Sequence, residues 1–157
     1  MNLNGLLPQN TKGLLDDIQE VGCFFRILGA MAEITNGKYL IIEQLNDLWT
    51  CALKSGIISR DRVMLQPERL VERASERLGK KISVWNCGHM VNGVALGWNG
   101  NYLVTPVHFS SIHFKTKAAT GHFCLGDKEG KFTWNPWNGP NDTSTIQDIQ
   151  LYWIKEL

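Results

Sequence analysis

Apolar residues recur at helical spacing through the first half of the chain and at strand spacing through the second. A short piece over residues 12–20 sets Leu14, Leu15 and Ile18 on one side. Gly22 interrupts it. From Cys23 a run apolar nearly all round reads as a buried central helix, with Arg26 and Glu33 on a narrow polar stripe and Asn36-Gly37 at its end. Residues 41–55 repeat Ile41, Leu45, Leu48 and Ala52 on one face, and Gly56 stops them. Another helix is predicted over residues 67–78, with Pro67 in its first turn, Gly79 past its end, and Leu70, Val71, Ala74 and Leu78 inward. Glu68, Glu72 and Glu76 line up beside Arg69, Arg73 and Arg77, which reads as a solvated face. Arg69–Glu72 and Arg73–Glu76 are spaced for pairs worth roughly a few tenths of a kcal/mol.

From Lys81 the period shortens. Ile82, Val84 and Trp85 predict a strand. Asn99-Gly100 between the apolar runs 94–98 and 101–105 predicts a hairpin. Further strands fit residues 107–115, 122–127, 131–135 and 149–154, the middle two joined through Lys128-Glu129-Gly130. Helices come first and an antiparallel sheet follows, so the class is α+β. No repeat or linker divides residues 1–157, which are read as one domain.

Composition narrows the function. With 43% apolar and 20% charged residues, 157 residues can build a real core. A net charge of +1 points to neither nucleic acid nor a membrane surface. No apolar run approaches the roughly 20 residues that span a bilayer. The first residues lack a basic segment and a long apolar core, so a cytoplasmic location is expected. Cys23, Cys51, Cys87 and Cys124 lie in helix and strand contexts and are expected as free thiols. No Cys-x-x-Cys occurs, and His89 beside Cys87 or His122 beside Cys124 is not zinc-ligand spacing. The glycines match no phosphate-binding fingerprint. Neither metal nor cofactor is expected.

The chemistry centres on Gly22-Cys23. A thiol at a helix start faces the positive end of the dipole and free N–H groups, which favour thiolate and lower its pKa. As a nucleophile it needs a base, and the base needs an orienting group. Of His89, His108, His113 and His122, the last is best placed. It opens Gly121-His122-Phe123-Cys124-Leu125, which folds back to Phe132-Thr133-Trp134-Asn135-Pro136-Trp137. A two-residue loop pairing Asp127 with Gly130 sets His122 opposite Asn135 on one face. A type I turn with Gly130 at a bulge shifts the pairing by one and turns Asn135 away unless a further bulge restores it. Asn138 and Asp127 are the other orienting candidates.

This order of residues resembles the papain-like cysteine peptidases. Asn135-Pro136-Trp137 is similar to the Asn-x-Trp of papain. Gly121-His122-Phe123, a hairpin and then Asn-Pro look like the double-glycine-leader (bacteriocin-processing) peptidases and related small bacterial or phage proteins, which carry His-Phe, a hairpin and Asp-Pro. The likeness covers the order of elements over most of the chain. It implies a papain-like fold and hydrolysis of a peptide or protein amide through a thioester, with Cys23 as nucleophile, His122 as base and Asn135 as orienting residue. Phe24 and Phe25 follow Cys23 where the family usually has glycine or another small residue. The family's oxyanion glutamine commonly lies six residues before the cysteine; Asp17 stands there, and an ionised carboxylate cannot donate. Gln19 is the nearest glutamine and is expected in that role beside the Cys23 N–H. The same fold also fits a peptidoglycan-cleaving amidase or endopeptidase, and a catalytically inactive module binding a partner in the cleft.

Overall fold

A computed structural model of the chain describes residues 1–115, 121–137 and 145–157. A 3-10 turn, Leu3–Gly5, precedes helices α1 (Asp16–Val21), α2 (Cys23–Asn36), α3 (Ile42–Lys54) and α4 (Pro67–Leu78). Strands β1 (Ile82–Val91), β2 (Val94–Gly97), β3 (Phe109–Lys115), β4 (His122–Gly126), β5 (Phe132–Trp134) and β6 (Thr145–Glu156) follow. They form one antiparallel sheet in the order β2-β1-β6-β3-β4-β5. The α+β class read from the sequence is the class observed. No helix among the described residues is long and apolar enough to cross a membrane.

The helix ends follow their capping residues. Gly37 and Gly79 take left-handed conformations and return their N–H groups to the last turns of α2 and α4. α2 is the central helix. Phe25, Ile27, Leu28 and Met31 bury against Leu45, Leu48 and Trp49 of α3, Leu70 and Ala74 of α4, and Leu125, Tyr152 and Ile154 of the sheet. Phe25 meets Trp49 edge-to-face, with centroids 5.1 Å apart. Ile41 falls outside its predicted face and is exposed, because α3 starts one residue later.

The narrow polar stripe of Arg26 and Glu33 faces the interior, and both residues are fully buried. Arg26 donates to Glu33 Oε2 at 3.1 Å and through Nε to the Leu7 carbonyl at 2.8 Å, while Glu33 Oε1 accepts the Leu40 N–H. Gly29 makes the room: a Cβ there would sit 2.7 Å from a guanidinium nitrogen of Arg26. The strand half holds a hairpin turn beyond those read from the sequence. β1 and β2 turn at Asn92-Gly93, whose φ angles of 51° and 78° suit a type I′ turn. The hairpin predicted at Asn99-Gly100 follows it: the Gly97 N–H donates to the Asn101 carbonyl, the Leu103 N–H to the Ala95 carbonyl, and Leu96 pairs antiparallel with Tyr102. On α4, the Arg73–Glu76 pair forms, but Glu72 instead accepts the Val84 N–H and ties the helix to β1.

Residues opposite one another on antiparallel strands share a face. Phe109 lies opposite Tyr152, Ser111 opposite Leu125, His113 opposite Phe123, and Leu125 opposite Trp134. Phe109, Phe123, Leu125, Trp134 and Tyr152 pack into the core, so this face meets the helices. α2 thereby reaches β4 with its N-terminal end.

Candidate active site

Gly22 is the joint between α1 and α2. It caps the first helix through its N–H to the Ile18 carbonyl (2.8 Å), and its own carbonyl takes the Arg26 N–H (2.9 Å). A Cβ there would stand 2.3 Å from the Ile18 oxygen, so a side chain does not fit. Cys23 therefore opens α2 with its sulfur beside the first-turn N–H groups.

β4 meets that sulfur along an open edge. The Leu125 carbonyl accepts from Thr133 Oγ1, so it points toward β5. By the two-residue repeat of a strand, the Phe123 N–H points the same way. β5 pairs with β4 only as far as Leu125, which leaves the Phe123 N–H turned to the Cys23 sulfur instead. The peptide joining His122 to Phe123 thus lies against the thiol.

Burial pushes the Cys23 thiol up from its ordinary value; the N–H groups of Phe123, Phe24 and Cys23 pull it down without offsetting that rise. The lowered pKa expected from the helix terminus is reversed for this reason: the first turn is packed under β4, and lost hydration of the thiolate outweighs dipole and N–H groups. Cys124, next along β4, is buried and pushed up to about 12, first by burial and then by the nearby Cys23 sulfur. Cys51 is exposed, and all four cysteines are free thiols.

His122 Nε2 lies 2.8 Å from Asn135 Oδ1. The same oxygen accepts the Trp137 backbone N–H at 3.0 Å. A backbone N–H can only donate, so the Asn135 atom at this point is oxygen, and Nε2 must carry the proton. Nδ1 is then the basic nitrogen. Burial lowers the His122 pKa and the Asn135 bond raises it, with burial the larger. The imidazole is neutral at pH 7.

The register that allows this is neither simple alternative. Gly130 sits at φ 79°, and Asp127 exchanges hydrogen bonds with Gly130 and Lys131, as in a type I turn with a bulge. That turn shifts the pairing by one residue, and a second irregularity between Leu125 and Gly126 shifts it again. Two shifts restore parity, so Asn135 returns to the His122 face. It lies opposite Cys124 by this register and reaches His122 on the diagonal.

Of the other orienting candidates, Asp127 is used by the turn, its Oδ1 accepting the Glu129 and Lys131 N–H groups. Asn138 lies outside the described residues. The remaining histidines are engaged elsewhere. His89 stacks on Trp98, His108 Nδ1 accepts the Ile154 N–H, and His113 stacks on Phe123.

Gln19 spends its side-chain Nε2 on the Leu14 carbonyl at 2.8 Å, within its own segment. A glutamine not singled out in the sequence is placed more tellingly. Gln9 is buried, its backbone N–H donates to the Pro136 carbonyl at 2.7 Å, and its Nε2 donates to the Gln19 carbonyl at 3.3 Å. It joins the residue after Asn135 to the helix just before Cys23. Its Oε1 is buried without a partner. No local pattern marks Gln9, since its partners are remote in the chain. Among the described residues no group of three or more His, Cys, Asp or Glu side chains could hold a metal ion.

Comparison with protein-family models, curated proteins and solved structures finds no match for this chain.

Proposed function

We propose that the chain is a papain-like cysteine peptidase acting on a peptide or protein amide. The observation that carries this reading is the shared Asn135 oxygen. It fixes His122 with Nε2–H bound and Nδ1 basic, on a strand whose next N–H meets the sulfur of Cys23. An orienting amide, an imidazole of defined tautomer and a thiol at a helix start are the parts that acyl transfer needs.

Both partners are neutral at pH 7, so the step is general-base catalysis rather than attack by a preformed thiolate. His122 Nδ1 takes the thiol proton as the sulfur bonds to the amide carbonyl. The tetrahedral oxyanion is held by the Cys23 N–H and a side-chain amide, a donor typically worth about a hundredfold or more in rate. Gln9 fits that role better than Gln19, because its Nε2 holds the Gln19 carbonyl at a long 3.3 Å while that of Gln19 holds the Leu14 carbonyl at 2.8 Å. The imidazolium gives its proton to the departing amine, leaving a thioester on Cys23. Water, deprotonated by His122, then attacks the thioester and releases the acid and the free thiol.

A second reading, a catalytically inactive papain-like module binding a partner in the same cleft, is favoured by the burial of the Cys23 thiol. Iodoacetamide labelling followed by peptide mapping separates the two. The enzyme reading expects Cys23 to label at neutral pH faster than Cys124 and to slow on His122→Ala. A Cys23 that stays unlabelled until the protein unfolds would overturn it.

A further inference from the structure

A stack of three rings joins the strand of His122 to the helix of Cys23. The Phe123 ring lies 4.2 Å from Phe24 at 9°, and 4.3 Å from His113 at 2°. A ring parallel and this close to two others carries one on each face, so the order is Phe24, Phe123, His113. Each member adjoins the site in sequence or in space. Phe24 follows Cys23, and Phe123 follows His122. His113 stands against the residue on the other side: a Cβ on Gly121 would lie 2.0 Å from His113 Nε2. The His113 ring therefore touches both neighbours of His122, and glycine at 121 is what admits it.

Magnitudes say what such a stack can do. A stacked pair contributes about 0.5–1.5 kcal/mol beyond its buried area, a modest share of a domain's stability. A displacement of about 1 Å at the reacting groups can cost about a hundredfold in rate. The rings are half-buried at the margin of the core, so their packing weighs less than the separation they hold. The stack also accounts for a phenylalanine directly after the cysteine, because Phe24 supplies its inner ring.

We infer that His113 is a positioning residue: stacked on Phe123 and Phe24 and seated against Gly121, it fixes the backbone of His122 against the first turn of α2. This rests on the reading of Cys23 and His122 as nucleophile and base.

The test uses the full chain. The rate of Cys23 labelling by iodoacetamide is followed by peptide mapping from about pH 5 to 9, beside the urea midpoint of each variant. Wild type is expected to show a step in rate at the His122 titration, and His122→Ala to lose it. His113→Ala and Phe24→Ala are expected to lower the neutral-pH rate about tenfold to a hundredfold and to flatten that step. His113→Phe, which keeps a ring to stack, is expected to restore it. Where His113→Ala does not fold, His113→Leu fills the space without a stackable ring. Stack variants that shift the urea midpoint but keep the step overturn the inference and leave the nucleophile and base standing. A His113→Phe rate as low as that of His113→Ala overturns it as well. A wild-type profile identical to that of His122→Ala overturns the reading of the site itself.

Discussion

Asn135 holds His122 from a diagonal position, with Oδ1 2.8 Å from Nε2 and the Trp137 N–H on the same oxygen. The side chain is thus anchored at both ends of its function. The turn formed with Trp137 fixes the amide, and the amide fixes the imidazole. A displaced register tolerates this because a diagonal neighbour on the same face stays within reach of a long side chain.

Replacing Asn135 separates orientation from charge. Asn135→Ala removes the bond that raises the His122 pKa, so the titration moves to lower pH while base-assisted labelling of Cys23 falls about a hundredfold. Asn135→Asp keeps the acceptor and adds a negative charge, so the titration moves up and more of the rate survives. The His122 ring-proton shifts followed by NMR against pH give the sign directly. Movement in the same direction for both variants contradicts the assignment.

The lowered His122 pKa also has a consequence for stability. An unfolded histidine titrates near about 6.5, while the folded one takes its proton only at lower pH. Between these values the unfolded chain binds more protons, so stability falls as pH falls through the window and is fully present above it. His122→Gln is expected to remove that part of the pH dependence. The buried Glu33 carboxyl is pushed up and acts with the opposite sign, but equally in both proteins, so it cancels. Urea midpoints at about pH 7.5 and 5.5 for the two proteins check this; equal losses on acidification count against it.

The helical half was legible because its punctuation is local. Pro67, Gly37 and Gly79 act on their own turns, and amphipathic spacing places the buried face. Of the two Asn-Gly pairs flanking β2, Asn99-Gly100 announces its hairpin because apolar runs flank it on both sides, while Asn92-Gly93 goes unread because the polar stretch Asn86-Cys87-Gly88-His89 comes shortly before it. Arg26 and Glu33 read only as a polar stripe, because helical spacing does not say what a stripe faces. Their burial depends on the Leu7 carbonyl and the Leu40 N–H, which tertiary structure alone supplies. The meeting of His122 with Asn135 was legible in kind, but its register needed two compensating shifts that no short motif announces.

Gly22→Ala tests the joint before Cys23. In an ordinary helical position this change gains roughly 0.5–1 kcal/mol. Here the new Cβ meets the Ile18 carbonyl at 2.3 Å, and backbone on both sides leaves little to yield. The expected outcome is a loss of about 1–3 kcal/mol, as for other forced overpacking, together with slower Cys23 labelling in the molecules that remain folded. A variant as stable as wild type in urea means that the two helices can part at no cost.

The Arg26–Glu33 pair makes the sharpest demand on energetics. Burial pushes the carboxyl up and the guanidinium down, and each charge is held mainly by the other. Removing one partner leaves an uncompensated buried charge, so Glu33→Ala or Arg26→Met alone is expected to cost about 3–5 kcal/mol. Arg26→Met with Glu33→Gln removes both charges, fills much of the volume and keeps an acceptor for the Leu40 N–H. It is expected to lose much less than the single changes sum to. The pair also has a local duty that the double variant does not restore. Arg26 Nε holds the Leu7 carbonyl, two residues before Gln9, and its guanidinium lies 5.6 Å from the Trp134 ring centre. The double variant should therefore recover its urea midpoint more fully than its turnover of a cleavable peptide, because the segment carrying Gln9 has lost its tether. Additive losses of stability across the cycle would instead mean that the two side chains are buried independently.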